Sequence, residues 1–175
     1  KKLKTLRVRV DGELPFAATA KDIVMLLIAQ IGADGATGYA IEFCGEAIAA
    51  LSVEGRMTVC NMAVEAGARG AFMAPDDKVF AYIKSAPRVP KGGMWQQALA
   101  HWRTLHSDEG AVFDKEVVLD CANLTPRVTW GTSPDQGGSI TDIVPNPADE
   151  QDPSRRRDMQ HALAYMGLEP GMPLS

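Results

Sequence analysis

Residues 52–77, SVEGRMTVCNMAVEAGARGAFMAPDD, restrict the fold of this chain more than any other stretch. Residues 56–68 contain no proline and no strand-like alternation, so a helix is predicted there. Gly67 and Gly70 can end this helix, because glycine adopts left-handed backbone angles without steric penalty. A short apolar strand, AFMAP, follows it. At residues 75–77 the chain then turns toward another helix, whose first turn an aspartate can cap.

A helical projection of residues 56–69 separates a broad apolar surface from a narrow polar stripe. The polar side chains Thr58, Asn61, Glu65 and Arg69 fall within an arc of roughly 80°. Because a helix that is apolar nearly all round is normally buried, the stripe either borders solvent or lines an internal polar cavity. In the first case Glu65 and Arg69 form a surface ion pair. In the second case Asn61 and Glu65 face a ligand, and the pattern alone leaves both hypotheses open.

Five stretches of the chain resemble, in the same order, the aconitase superfamily. They are TAKDIVMLLIAQIG, GATGYAIEFCGEAI, GRMTVCNMAVEAGARGAFMAPDD, LTPRVTWGTSPDQ and HALAYMGLEPGMPL. Within the superfamily the resemblance is greatest to the large subunits of 3-isopropylmalate dehydratases. In that family the asparagine of the Cys-Asn-Met triplet lies against an iron–sulfur cluster. The glutamate four residues later reaches the active-site iron and its bound oxygen. The resemblance therefore implies that Asn61 binds the cofactor and that Glu65 is catalytic.

The activity that the resemblance implies is that of a hydro-lyase of leucine biosynthesis. This enzyme isomerises 2-isopropylmalate and 3-isopropylmalate with a [4Fe–4S] cluster and a separate small subunit as partner. One iron of the cluster acts as a Lewis acid, and a base removes a proton from the neighbouring carbon. The family's Gly-Asp-Ser-His motif and cluster-cysteine motifs do not occur in these residues. We therefore expect an internal fragment of the large subunit that by itself is inactive and holds no stable cluster.

Two other interpretations remain open at this point. The chain could be part of a sister hydro-lyase, such as aconitase or a citraconate or methylmalate hydratase, or a folded module without catalytic function. The sequences VTWGT and YMGL favour the dehydratase.

The composition is that of a globular protein. Of its 175 residues, 46% are hydrophobic and 23% are charged, which is enough to form a substantial core. A net charge of −4 argues against a nucleic-acid or membrane-surface partner. The sequence has no apolar run of membrane-spanning length and no N-terminal apolar region typical of a signal peptide. We expect a cytoplasmic location.

The three cysteines, Cys44, Cys60 and Cys121, are widely spaced and form no Cys-x-x-Cys motif. Such an arrangement indicates neither a disulfide framework nor a zinc knuckle. We predict three reduced, mostly buried thiols, and none of them matches a cluster-ligand position of the family. His101 and His106 are five residues apart, a spacing that does not place two side chains on one helical face. No metal ligand is predicted in this chain.

The first half of the chain alternates strands and helices. The pattern predicts a strand at 3–10, a helix at 23–31 with Thr19 and Asp22 as a capping box, a strand at 39–43, a short helix at 45–51, the central helix, the AFMAP strand and a helix from Asp77. This order favours a mainly parallel sheet with helices on its faces. For residues 1–86 we predict an aconitase-like α/β/α domain with three layers.

The second half is predicted to begin after a linker, PRVPKGG, at residues 87–93. Residues 94–175 would supply a helix, a strand, a loop and a final helix of a second, incomplete aconitase-like domain. Residues 125–139, TPRVTWGTSPDQGGS, are predicted to form an irregular ordered loop, and long loops in compact domains are often functional. The resemblance implies that this loop lies along the wall of the cleft near the cluster, but it assigns no chemical role to any loop residue.

Overall fold

The computed structural model of the protein describes residues 2–175. Lys1, the first residue of the predicted first domain, lies outside the described residues. The strands are β1 (Lys4–Asp11), β2 (Tyr39–Cys44), β3 (Gly70–Phe72), β4 (Lys115–Asp120), β5 (Arg127–Thr129) and β6 (Gly137–Ser139). The α-helices are α1 (Ala20–Ile31), α2 (Glu46–Ala50), α3 (Val53–Met62), α4 (Asp77–Ile83), α5 (Gly93–Trp102) and α6 (Pro153–Met166), with 3₁₀ turns at Ala63–Ala66 and Pro147–Asp149. Across the described residues no helix is both long enough and apolar enough to cross a membrane.

Four strands form one parallel sheet in the order β3-β2-β1-β4. In this register Leu6 of β1 lies between Ile41 of β2 and Lys115 of β4. The alternation of β and α elements therefore produced the mainly parallel sheet that the sequence predicts. The other two strands, β5 and β6, form a separate antiparallel pair.

One face of the sheet is apolar and fully covered. The side chains of Leu6, Val8 and Val10 are 0% exposed, as the alternation of β1 predicts. They form one core cluster with apolar residues of β2, β4 and the helices α1, α2 and α3. This cluster is the larger core of the molecule.

The opposite face of the sheet is polar. Arg7 forms a salt bridge with Glu116 at 2.8 Å, Arg9 pairs with Asp11 at 3.0 Å, and the ring of Phe113 lies against the guanidinium of Arg7. The predicted α/β class with a mainly parallel sheet is confirmed, and α1, α2 and α3 all join the core of the other face. A helix packed here would have to desolvate these charged pairs, which is costly.

The division into units differs from the prediction. The strand β4 was expected in a second unit of residues 94–175, but it pairs with β1 along its whole length and extends the first sheet. A smaller core, formed by Trp130, Val144 and Leu163, lies after β4. The linker at residues 87–93 therefore does not separate two sheets, because strand pairing joins segments on either side of it.

The central helix also differs from the prediction. It begins at Val53, where the Ser52 hydroxyl accepts a hydrogen bond from the Gly55 amide at 3.1 Å. After Met62 it tightens into the 3₁₀ turn, which ends at Gly67 with φ of +84°. The helix is not buried nearly all round, because α1 and the edge strand β3 cover only part of it. Met57 and Val64 are 52% and 57% exposed.

Candidate functional site

An open cavity of about 810 Å³ lies between α1, the end of α3 and the 3₁₀ turn on one side and β5 with the loop after it on the other. One side of this cavity, called here the helical wall, consists of Lys21, Met25, Ile28, Met62 and Glu65. The other side, the loop wall, consists of residues 127–129 and 131–134. The structure therefore brings the predicted catalytic residue Glu65 together with part of the 125–139 loop, across more than sixty residues of sequence.

Glu65 carries an exposed carboxylate, but the residues next to it in the 3₁₀ turn are held in place by packing and hydrogen bonds. Ala63 and Ala66, on either side of it, are 0% exposed in the larger core. The Ala66 carbonyl accepts a hydrogen bond from the Ala36 amide at 2.8 Å. At Gly67 a Cβ atom would lie 2.5 Å from the Thr37 hydroxyl oxygen, so only glycine allows this close approach. The backbone under Glu65 is thus held from two sides.

Asn61 lies in the last turn of α3 and is exposed, but it does not line the cavity. The change from α-helix to 3₁₀ helix explains the separation. A 3₁₀ helix turns by about 120° per residue and an α-helix by about 100°, so Glu65 is rotated further from Asn61 than in the helical projection. The role of Asn61 in cofactor binding stays a prediction.

The alternative hypothesis for the polar stripe was an ion pair between Glu65 and Arg69. Among residues 2–175 the structure has four salt bridges, and none of them joins these two side chains. The reason is the left-handed backbone at Gly67, which ends the turn. Arg69 consequently continues toward β3, and its amide donates to the Tyr39 carbonyl at 2.9 Å.

A buried aspartate joins the two walls of the cavity. Asp22 is 7% exposed, and its Oδ2 atom accepts hydrogen bonds from the amide and the hydroxyl of Thr19, both at 2.7 Å. Its Oδ1 atom accepts a hydrogen bond from the Arg127 amide at 2.7 Å. The sequence predicts only the capping role of Asp22. The second contact was missed because it joins residues that are 105 positions apart.

The loop wall is ordered by its own hydrogen bonds. The side-chain oxygen of Gln136 accepts from the amides of Thr132 at 2.7 Å and Ser133 at 3.2 Å, and its carbonyl accepts from the Trp130 amide. A Cβ atom on Gly131 would lie 2.1 Å from the same side-chain oxygen. The predicted irregular loop is therefore a short antiparallel pair closed by one glutamine.

A second polar contact, made by Arg56, holds the first half of α3 in place. Arg56 is 6% exposed, and its guanidinium donates to Asp76 at 2.5 Å and to the Ala49 carbonyl at 2.9 Å. The hydrogen bond from Arg56 holds the pKa of Asp76 below its usual value. Lys78 donates to the carbonyls at the end of α2. These contacts join α2, α3 and the start of α4, so they fix the helix that leads into the Glu65 turn.

The cysteines do not provide a ligand set for an iron–sulfur cluster. Cys121 is buried and Cys44 and Cys60 are half-buried, all three as free thiols. Burial raises the pKa of each thiol, which favours the protonated form over the thiolate that binds iron. Within the described part of the chain no three His, Cys, Asp or Glu side chains are grouped so that they could hold a metal ion. These residues therefore do not fit a cluster.

Comparison with known proteins gives one family. The model of the aconitase family (aconitate hydratase) matches residues 1–175. The chain is 64% identical over 172 residues to the 3-isopropylmalate dehydratase large subunit 1 of Mannheimia succiniciproducens. It is 65% identical over 172 residues to the 3-isopropylmalate dehydratase large subunit 2 of Salmonella choleraesuis and of Salmonella typhimurium. Each match covers 98% of this chain, and the chain spans 36% of the length of each of these relatives.

Proposed function

This chain belongs to the aconitase family, and we propose that it forms part of the large subunit of a 3-isopropylmalate dehydratase. The parent enzyme would be a hydro-lyase that isomerises 2-isopropylmalate and 3-isopropylmalate in leucine biosynthesis. The observation that carries this proposal is the identity of 64% and 65% to large subunits of that name, over 98% of the chain. The same identity favours the dehydratase over a sister hydro-lyase or a module without catalytic function.

In this proposal Glu65 is the catalytic residue of the chain. Its carboxylate lies on the cavity, and a carboxylate can hold a proton for the substrate hydroxyl that leaves and take it back on rehydration. The buried alanines on either side of Glu65 support this role, because a proton-transfer group must be held in position. Asn61 is proposed to contact the cofactor, and its exposed amide is available for such a contact.

The parent enzyme is proposed to carry a [4Fe–4S] cluster and to associate with a small subunit. Because the three thiols of this chain do not fit as cluster ligands, other residues of the parent enzyme would have to hold it, and no catalytic step is assigned to these thiols. The cytoplasmic location belongs to the same proposal. It is supported by the three free cysteines, which suit a reducing compartment.

The proposal is tested in a complete large subunit containing this sequence, assembled with its small subunit. Wild-type enzyme should interconvert the two isopropylmalates. Glu65→Gln should lower kcat by about 100-fold or more, because an amide cannot carry the proton. The matched control Arg69→Gln, four residues along the chain but outside the cavity, should retain near-wild-type turnover. Absence of isopropylmalate turnover in the wild type would reject the function, and full turnover of Glu65→Gln would reject the role of Glu65.

A further inference from the structure

We propose that Lys21 and Arg127 form a carboxylate-binding subsite in the cavity, where they hold a carboxylate of the substrate beside Glu65. The chemical class of the ligand, a small dicarboxylate, rests on the proposed function. The subsite itself rests on the position and the unpaired charge of two side chains, one on each wall of the cavity.

Arg127 is fixed by its backbone and has an unused donor in its side chain. It is the first residue of β5, and its amide is bound to the buried Asp22. The Nε atom of its guanidinium is buried and has no hydrogen-bond partner. This Nε atom has almost no accessible surface, so the N–H groups at the end of the guanidinium would be the ones that donate to a ligand in the cavity, and none of them belongs to a salt bridge among residues 2–175. A carboxylate matches the planar donor pattern of a guanidinium.

Lys21 supplies the second positive charge from the opposite wall. It is the second residue of α1, and the first turn of a helix carries a partial positive charge of its own. Lys21 forms no salt bridge with its neighbour Asp22, whose carboxylate oxygens accept hydrogen bonds from Thr19 and from the Arg127 amide instead.

The ion pairs of the chain leave both cations available. Within residues 2–175 the four salt bridges include neither Lys21 nor Arg127. Glu65 is the acidic residue among those that line the cavity, so its lining has more positive than negative charge in a chain of net charge −4. A concave site of opposite sign to the whole protein is typical of a site that binds an anion.

The subsite is tested by titrating the 175-residue chain with 2-isopropylmalate and following amide chemical shifts by NMR. The test variant is the double substitution Lys21→Met and Arg127→Gln. The matched control is Lys91→Met and Arg155→Gln, which removes the same charge from exposed positions outside the cavity. The dimethyl ester of 2-isopropylmalate serves as an uncharged ligand of similar shape.

We expect saturable shifts at the cavity in the wild type and in the control. The test variant should bind about tenfold more weakly or worse, because charge-assisted hydrogen bonds are lost. The diester should bind no better to the wild type than to the test variant. Equal binding of the dicarboxylate by both variants, shifts confined to another surface, or no saturable binding by the wild type would each overturn the subsite.

The complete enzyme separates this inference from the proposed function. There Arg127→Gln should raise KM with a smaller change in kcat, whereas Glu65→Gln should lower kcat. If the chain binds the dicarboxylate through Lys21 and Arg127 but the complete enzyme does not interconvert isopropylmalates, the subsite stands and the proposed function fails. If turnover is normal in the test variant, the function stands and the subsite fails.

Discussion

The helical wall and the loop wall of the cavity face each other, but different forces hold them. The helical wall lies on the larger core, where Leu27 and Ile28 of α1 are 0% exposed. The loop wall lies on a pair of three-residue strands and on the smaller core of Trp130, Val144 and Leu163. Hydrogen bonds also fix the loop wall, but the core beneath it is much smaller than the one beneath the helical wall. We infer that the helical wall resists displacement more than the loop wall does.

The first prediction tests whether the smaller core is less tightly packed than the larger core. Leu27→Ala should lower the free energy of unfolding by about 4 kcal/mol, because the rigid surroundings leave a cavity. Leu163→Ala, in the smaller core, should cost only about 2 kcal/mol, because α6 can shift to fill the space. Urea denaturation measures both. Equal losses would show that the smaller core is as tightly packed as the larger one, and the contrast between the walls would be wrong.

The second prediction concerns the aspartate that joins the walls. Asp22→Ala should cost about 2–3 kcal/mol and speed hydrogen exchange at residues 127–134, since it removes a helix cap and the bond to the Arg127 amide. The control is Asp152→Ala, which removes the cap of α6 through the Ser154 amide and should cost about 1 kcal/mol. Unchanged exchange in the loop wall of Asp22→Ala would mean that other contacts position the loop.

The third and smallest effect is a pH dependence of the contact between Arg56 and Asp76, which supports the helix that leads to Glu65. The pKa of Asp76 is lowered in the folded state by the hydrogen bond from Arg56. Its contribution is therefore present above the unfolded pKa of about 3.9 and is lost as the pH falls through the lower folded pKa. The Asp76 side chain is 39% exposed, so solvent screening limits the contribution to under about 1 kcal/mol.

Thermal unfolding between pH 6 and pH 2.5 measures this contribution. Asp76→Asn keeps a side-chain oxygen that can cap α4 but removes the charge. Wild type should lose more stability than Asp76→Asn over this interval. Parallel curves would show that the Arg56 contact adds no pH-dependent stability to the helix that leads to Glu65.

Much of the local structure was predictable because its signals lie within a few residues of each other. The alternation in β1, the capping box of Thr19 and Asp22, and the cap at Asp76 all appear where the sequence predicts them. Gly32 and Gly67 end their helical segments with positive φ, as expected of glycine. The family was also predictable, because its motifs are contiguous stretches of sequence that occur in a defined order. The family model matches residues 1–175.

By itself, then, the sequence determined the parallel α/β class, the positions of most helices and strands, and the family. Only the tertiary structure decided that β4 completes the first sheet, that the far face of this sheet stays polar within residues 2–175, and that Glu65 and the loop wall line one cavity. The physical reason is distance along the chain. Caps and alternation depend on neighbouring residues, whereas the contact between Asp22 and the Arg127 amide exists only when segments 105 residues apart pack together.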